Sequence, residues 1–168
     1  EQVELKGEQL RRVMRYLKAW RDFQKWDKDD PKSILLMVAA DAAFDSSVDR
    51  RDDLALLKVL RGLPDILRGK VISPSTRDKP PGEQEDLARR LDNKGIRRDV
   101  IARIEHFADQ LEYAINTCGI PTKACEILIE HLGDRLPNDP ERVTQSTVQS
   151  QPAQKTNVVP PLGKTTAG

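Results

Sequence analysis

An all-α fold is predicted by three features of the 168-residue sequence. Apolar residues recur at three- and four-residue steps in several long segments, which is the helical period. Charged residues make up 33% of the chain and aromatic residues only 4%, so aliphatic side chains must build the core. Breaks rich in proline or glycine separate these segments. We therefore predict a bundle of about six helices over residues 1–137, followed by a flexible tail at 138–168.

The first helix is predicted at residues 7–26, and a second at 32–44. The apolar stripe of the first helix consists of Leu10, Val13, Met14, Leu17, Trp20 and Phe23. Turn-forming residues up to Pro31 end it, because proline disfavours helix in the residue before it. The second helix is apolar nearly all round, so we expect it in the middle of the core.

Four further helices are predicted, at residues 53–67, 83–92, 97–118 and 121–132. Pro64 should kink or split the first of these, because proline removes a backbone donor from the helix interior. Residues 71–82 are predicted to form an extended connector. Gly95, Gly119 and Gly133 are expected to end the segments that precede them.

The tail at 138–168 is rich in Gln, Thr, Ser and Pro and has almost no large apolar side chains. Such a segment buries too little surface to offset the entropy of ordering, so we predict that it is disordered. The sequence begins with Glu1 and not with Met, which suggests a piece of a longer product or a processed one.

The charge balance restricts the classes of partner. There are 28 basic and 27 acidic residues, whereas a generic nucleic-acid binder carries a large basic excess. No segment is long and apolar enough to span a membrane, and no signal peptide is visible. Cys118 and Cys125 are expected to be small core residues in a reducing compartment. We therefore expect a cytoplasmic protein without membrane or sequence-specific nucleic-acid partners.

The first helix also carries a row of cationic side chains. Arg11, Arg15, Lys18 and Lys25 are spaced by four, three and seven residues and share one side, with Arg21 beside them. Such a row is suited to holding phosphate oxygens through charge-assisted hydrogen bonds. An ordinary solvated helix face has the same pattern. The spacing does not distinguish these two interpretations.

Three polar residues are the candidates for a ligand contact. Lys18 lies beside Leu17, near the edge of the apolar stripe, from where its amine can point into a cleft. Lys32 and Ser33 open the second helix, whose free N–H groups and dipole favour an anion. Alternatively, Ser33 or Asp30 simply caps that helix.

No residue pattern predicts a metal site. Asp27 and Asp29 form an Asp-x-Asp, but they lie in a turn with no strand to fix them, so we interpret them as solvated. His106 and His131 are on separate predicted helices and are expected to be structural.

A family resemblance follows from the first helix, where Arg15, Leu17, Lys18 and Trp20 occur in the order R-x-L-K-x-W. This string resembles a helix of nucleotidyltransferases related to polymerase beta. Segment 31–36, the Ile-Ser-Pro at 72–74 and the closing segment 132–137 look like the bacterial cGAS/DncV-like enzymes of CBASS antiphage signalling. The resemblance covers residues 8–137.

The resemblance implies the C-terminal helical lobe of a cyclic-oligonucleotide synthase. In such enzymes the lysine that matches Lys18 contacts the triphosphate, and a polar residue matching Lys32 or Ser33 faces the phosphates. The Gly-Ser turn and the carboxylates that bind Mg²⁺ belong to an N-terminal lobe, which this sequence lacks. The intact parent would use Mg²⁺ with ATP or another nucleoside triphosphate, whereas this chain alone should not transfer nucleotides.

Two further expectations remain open. In some of these systems a flexible C-terminus ending in a small residue is attached to a target by ubiquitin-type E1–E2 enzymes, and Gly168 would suit that role. An ordinary frayed terminus is the alternative. For the whole chain, the rival hypothesis is a non-enzymatic interaction module whose basic face binds an acidic partner.

Overall fold

The computed structural model describes residues 2–27, 29–45 and 51–133. These residues contain six α-helices and no β-strand, which confirms the predicted all-α fold. The helices are α1 (Gln2–Phe23), α2 (Ser33–Ala43), α3 (Asp52–Arg68), α4 (Arg89–Asn93), α5 (Arg97–Asn116) and α6 (Pro121–Leu132). The predicted tail and Gly168 lie outside the described residues, and the boundary at residue 137 stays a prediction.

One apolar core joins the long helices. It lies where α1, α2, α3 and α5 pack together, and α6 closes it against α1 and α5. Trp20 of α1 is 0% exposed, and its ring is nearly parallel to that of Phe107 on α5, with centroids 6.4 Å apart. Each large side chain buried in this way stabilises the fold by about 1.5–3 kcal/mol. The apolar stripe predicted for the first helix is therefore the side that anchors α1.

Helix α1 ends at Phe23, earlier than the predicted residue 26. Trp26 lies beyond the helix, where its Nε1–H donates to the carbonyl of Arg21 at 2.9 Å. Its ring meets the buried ring of Trp20 edge to face, with centroids 5.7 Å apart. The guanidinium of Arg103 on α5 covers the Trp26 ring at 4.9 Å, a cation–π contact. The chain thus leaves α1 along a fixed path over the core.

Helix α2 is not surrounded by the core, contrary to the prediction. Its buried residues are Leu35, Leu36, Ala39 and Ala40, which face α1 and α3. On its other side, Ile34 is 46% exposed and Met37 is 40% exposed. The apolar composition of this helix overstated its burial, because its main packing partners, α1 and α3, leave Ile34 and Met37 exposed.

The fourth helix was predicted at 83–92 but covers only Arg89–Asn93. Residues 85–87 bond to the connector instead: Ser73 N donates to Glu85 O, and Leu87 N donates to Val71 O, each at 2.8 Å. The Asp86 carboxylate also accepts from the backbone N–H of Val71 at 3.0 Å. These bonds hold the backbone extended. The connector itself contains 3₁₀ turns at Pro74–Thr76 and Pro81–Glu83.

Some of the helix ends predicted from proline and glycine are confirmed, and others are wrong. Helix α3 runs through Pro64 to Arg68, so the predicted split is wrong. Helix α5 ends at Asn116, and Gly119 is not among the glycines with positive φ, so its predicted role as the helix end is also wrong. Gly95 and Gly133 do adopt positive φ, 65° and 73°, where their segments end. Glycine reaches these conformations without steric cost.

Candidate functional site

Three cations project from α1 into solvent. Arg11, Arg15 and Lys18 are exposed, and within the described part of the chain none of them forms a hydrogen bond or ion pair. Leu17 and Ala19, on either side of Lys18, are buried. The Lys18 ammonium is therefore held on a well-packed helix while its three donors stay available for a ligand.

Lys25 does not continue this row along the helix. It lies past Phe23, where α1 ends, so the seven-residue spacing from Lys18 no longer fixes its direction. Its backbone carbonyl accepts a hydrogen bond from Arg103 at 3.1 Å, and its side chain is exposed. The outward cationic face of α1 consists of Arg11, Arg15 and Lys18.

Arg21, which flanks the row in sequence, has a different role. Its side chain is only 21% exposed and reaches across the turn to the start of α2. Nε donates to the carbonyl of Pro31 at 2.7 Å, and Nη1 donates to Ser33 Oγ at 2.8 Å. Nη2 donates to the Asp30 carboxylate. Arg21 joins α1 to α2, a role that its position in a charged row did not predict.

The start of α2 has no side-chain cap. Lys32 occupies the capping position in an extended conformation, and no side chain accepts from the first turn. Neither Ser33 nor Asp30 caps the helix, and both side chains accept hydrogen bonds from Arg21. Lys32 is exposed and has no hydrogen-bond or ion-pair partner in the described part of the chain. The helix dipole and uncapped N–H groups favour an anion here.

The Asp-x-Asp pattern belongs to a structural turn. Asp29 Oδ2 lies 3.0 Å from Lys94 Nζ, and Asp29 Oδ1 lies 3.5 Å from Arg90 Nη2. These ion pairs tie the turn to α4, while Asp27 is exposed. In residues 2–27, 29–45 and 51–133, no group of three or more His, Cys, Asp and Glu side chains is placed to hold a metal ion. Because the Asp29 carboxylate is paired with Lys94 and Arg90, the Asp-x-Asp pattern does not fit a Mg²⁺ site.

The two histidines lie side by side although they are on separate helices. The His131 ring on α6 stacks on Phe107, with centroids 4.6 Å apart, and lies 5.5 Å from the His106 ring. Burial of the His131 ring lowers its pKa from the ordinary 6.5, and the neighbouring His106 lowers it further. The His131 ring is part of the packed interior, whereas His106 is exposed. Cys118 and Cys125 are free thiols, and Cys125 is buried.

The family follows from comparison with known proteins. The C-terminal domain of cyclic GMP-AMP synthase matches residues 7–145 of this sequence. This chain belongs to that domain family. The cyclic GMP-AMP synthase of Vibrio cholerae is 40% identical over 77 residues, which are 45% of this chain and 17% of that protein. The Escherichia coli enzyme is 38% identical over 77 residues, 45% of this chain and 18% of its own length.

Part of each solved structure of the Vibrio cholerae DncV synthase has the same fold as this chain. The Vibrio cholerae enzyme in complex with nonhydrolyzable GTP has a TM-score of 0.65 and 26% identity, over 81% of this chain and 35% of that one. Its complex with the linear intermediate 5′ pppA(3′,5′)pG has a TM-score of 0.62 and 26% identity, over 80% and 36%. The chain thus spans about a third of these structures.

No described helix is long and apolar enough to cross a membrane.

Proposed function

We propose that this chain is the C-terminal helical lobe of a synthase that joins nucleoside triphosphates into a cyclic second messenger for bacterial antiviral defence. The lobe binds a triphosphate and closes the active-site cleft. Membership of the cyclic GMP-AMP synthase C-terminal domain family is the observation that supports this proposal most strongly. Two of the related DncV structures contain a nonhydrolyzable GTP and a linear dinucleotide intermediate, respectively.

Lys18, Lys32 and Ser33 are the proposed contacts to the phosphates. The exposed ammonium groups of both lysines have no hydrogen-bond or ion-pair partner among the described residues. Ser33 lies in the uncapped first turn of α2. A triphosphate needs cations and N–H or O–H donors, and an exposed lysine and an open helix N-terminus supply both.

Catalysis itself would require the rest of the parent enzyme. Among the described residues, no three His, Cys, Asp or Glu side chains are grouped so that they could hold a metal ion. In the intact enzyme, Mg²⁺ would stabilise charge on the reacting phosphate, and residues outside the described ones would hold it. This lobe contributes binding and orientation of the nucleotide, and it should be inactive alone.

Two further parts of the proposal concern the cellular setting. We place the parent enzyme in the cytoplasm, where nucleoside triphosphates are available.

We also propose that Gly168 is a substrate for attachment to a target by an E1–E2 pair, since glycine fits a narrow active-site channel. The residues around Gly168 lie outside the described ones. Replacing Gly168 by Trp should abolish such a conjugate in cell extracts.

Lys18→Ala in the full-length parent tests the triphosphate contact. Loss of one charge-assisted hydrogen bond should raise the KM for the nucleotide about 10- to 100-fold, with the fold intact. Lys123→Ala is the matched control, because Lys123 is an exposed lysine on α6. Cyclic-product assays and thermal unfolding are measured for both variants. Unchanged KM in Lys18→Ala would contradict the proposal.

The second candidate function is a non-enzymatic interaction module. It is supported by the outward cationic face of α1, whose three members are without hydrogen-bond or ion-pair partners in the described part of the chain. Arg11→Glu with Arg15→Glu reverses two of these charges. Loss of one defined acidic partner in this variant, together with normal product formation by Lys18→Ala, would favour this candidate.

A further inference from the structure

Arg21 makes an unusual set of contacts for a residue in a cationic row. All three nitrogens of its guanidinium donate hydrogen bonds to residues 22–33. The acceptors are the Pro31 carbonyl, Ser33 Oγ, and the carboxylates of Asp22 and Asp30. The rigid, planar fork of arginine is suited to holding several acceptors at fixed positions.

The carboxylates neutralise Arg21, so it is not a free cation like Lys18. Asp22 Oδ1 lies 3.0 Å from Nη1, and the Asp30 carboxylate bonds to Nη2. Its donors are already directed at protein acceptors, and its side chain is mostly buried between α1 and α2. A direct contact with phosphate would require breaking these bonds. Arg21 therefore acts on a ligand through the residues it holds.

The bond from Arg21 to Ser33 determines what the serine hydroxyl offers. A hydroxyl has one donor hydrogen and two acceptor lone pairs. Ser33 Oγ accepts from Nη1 at 2.8 Å, which occupies a lone pair and leaves the O–H hydrogen to donate elsewhere. The bond from Nε to the Pro31 carbonyl fixes the backbone just before α2 at the same time.

We propose that Arg21 is a positioning residue, which orients the Ser33 hydroxyl and the first turn of α2 toward a phosphate group of a nucleoside triphosphate. This inference rests on the function proposed above. Arg21 holds the site in shape before the nucleotide arrives, so the ordering cost is not incurred on binding. Ser33 then donates its O–H to a phosphate oxygen, beside the N–H groups of α2.

A double-mutant cycle in the full-length parent tests this role. The variants are Arg21→Gln, Ser33→Ala and the double variant, and the KM for the nucleotide and kcat are measured for each. Arg21→Gln should raise KM about tenfold, since it costs one oriented hydrogen bond to an anion. In the Ser33→Ala background the same change should raise KM less than about twofold, because coupled residues are not additive. Independent, additive effects would overturn the proposal.

Arg21→Lys separates positioning from charge and from folding. Lysine keeps the positive charge, but all its N–H donors are on one nitrogen. It therefore cannot replace the separate bonds that Nε and Nη1 of arginine make to the Pro31 carbonyl and to Ser33 Oγ. We expect a raised KM with a thermal unfolding temperature close to that of the unmodified enzyme. An unchanged KM in Arg21→Lys would show that charge alone matters and would overturn the positioning role.

Arg12→Gln is the matched control on the same helix. Arg12 also forms a two-bond ion pair, with Asp52 of α3, at 2.6 and 3.0 Å. Its loss should alter stability without changing KM, and an equal rise in KM would assign the Arg21 effect to general loosening of α1. Lys18→Ala is measured alongside: an unchanged KM there refutes the proposed function, whereas a raised KM with an additive Arg21–Ser33 cycle refutes only this inference.

Discussion

The two sides of α1 differ in what they contribute. On the inner side, Val13, Leu17 and Trp20 are at most 1% exposed and pack into the core. On the outer side, Arg11, Arg15 and Lys18 are exposed and form no ion pair in the described part of the chain. Burial stabilises the fold through the inner side, whereas isolated exposed charges contribute little.

This difference separates stability from binding within one helix. Changes on the inner side should unfold the lobe, and any loss of nucleotide binding would then be indirect. Changes on the outer side should leave the fold intact and act on the ligand alone. Arg12 and Arg21 are intermediate cases, because carboxylates of other segments neutralise their charge in ion pairs.

The largest expected loss of stability comes from Trp20→Ala. This change removes a fully buried ring that contacts the rings of Trp26 and Phe107. It should lower the free energy of unfolding by about 3–5 kcal/mol, because it leaves a large cavity. Urea denaturation followed by circular dichroism measures the change. Ile120→Ala is the control, since Ile120 is 57% exposed. A similar loss in both variants would contradict the account of the inner side.

The next largest effect is expected at Gly133, which follows α6. Gly133 has φ 73° and ψ −169°, a region that is essentially restricted to glycine. A Cβ there would also lie 2.7 Å from the ring of Phe23, at the end of α1. We expect Gly133→Ala to cost about 2–3 kcal/mol of unfolding free energy.

Gly95→Ala is the matched comparison for this prediction. Gly95 also has a positive φ, of 65°, but an added Cβ would meet no atom within 4 Å. Only the backbone strain, about 1 kcal/mol, should appear. Thermal unfolding of the two variants compares them directly, and an equal cost at both glycines would show that the Phe23 contact is unimportant.

A smaller, pH-dependent effect is expected from His131. Its ring stacks on Phe107, which in turn contacts Trp20 on the inner side of α1. Its pKa lies below the ordinary 6.5 because the ring is buried, and also because His106 is near. Above pH 6.5 the ring is neutral in both states and its contribution is complete. As the pH falls below 6.5, the unfolded chain binds the proton first, so stability falls until the lowered pKa of the folded state is reached.

The measurement is the unfolding free energy of the unmodified protein and of His131→Phe between pH 7.5 and 5. Each unit by which the pKa is lowered corresponds to about 1.4 kcal/mol. Phenylalanine retains the stacking on Phe107 but does not titrate, so the variant should lose less stability on acidification. Parallel pH profiles would exclude His131 as the source of the acid sensitivity.

The smallest effects on stability are expected on the outer side. Arg15→Ala should change the unfolding free energy by less than about 0.5 kcal/mol, whereas Arg12→Gln should cost up to about 1 kcal/mol. Arg12 has an ion-pair partner on α3 and is half-buried, whereas Arg15 is exposed and has no ion-pair partner among the described residues. Chemical denaturation of the two variants sharpens the comparison. A larger loss for Arg15→Ala would mean that the outer side contributes to folding.

The sequence was sufficient where one local pattern decided the structure. An unbroken apolar period placed α5 and α6, and Pro121 and Gly133 marked the ends of α6. The apolar stripe predicted for α1 from the same periodicity includes its buried residues Val13, Leu17 and Trp20. Residues 85–87 were misassigned because they pair with the distant residues 71–73, a contact that local propensity does not report.

The candidate site was predicted only in part, for a similar reason. The sequence predicted Lys18, Lys32 and Ser33 as ligand contacts, but it did not show which cations of α1 form ion pairs within the protein. In the sequence, Arg21 and Arg15 are both arginines of the cationic row on the first helix, and nothing local distinguishes them. Only the path of the turn at residues 24–32 brings Asp30 and Ser33 to one of them.

The most direct test of the central claim is a structure of the full-length parent bound to a nonhydrolysable nucleoside triphosphate. The account predicts that Lys18 Nζ lies about 2.7–3.2 Å from a phosphate oxygen, with the start of α2 beside the same triphosphate. A triphosphate bound elsewhere, with the Lys18 amine in open solvent, would contradict it.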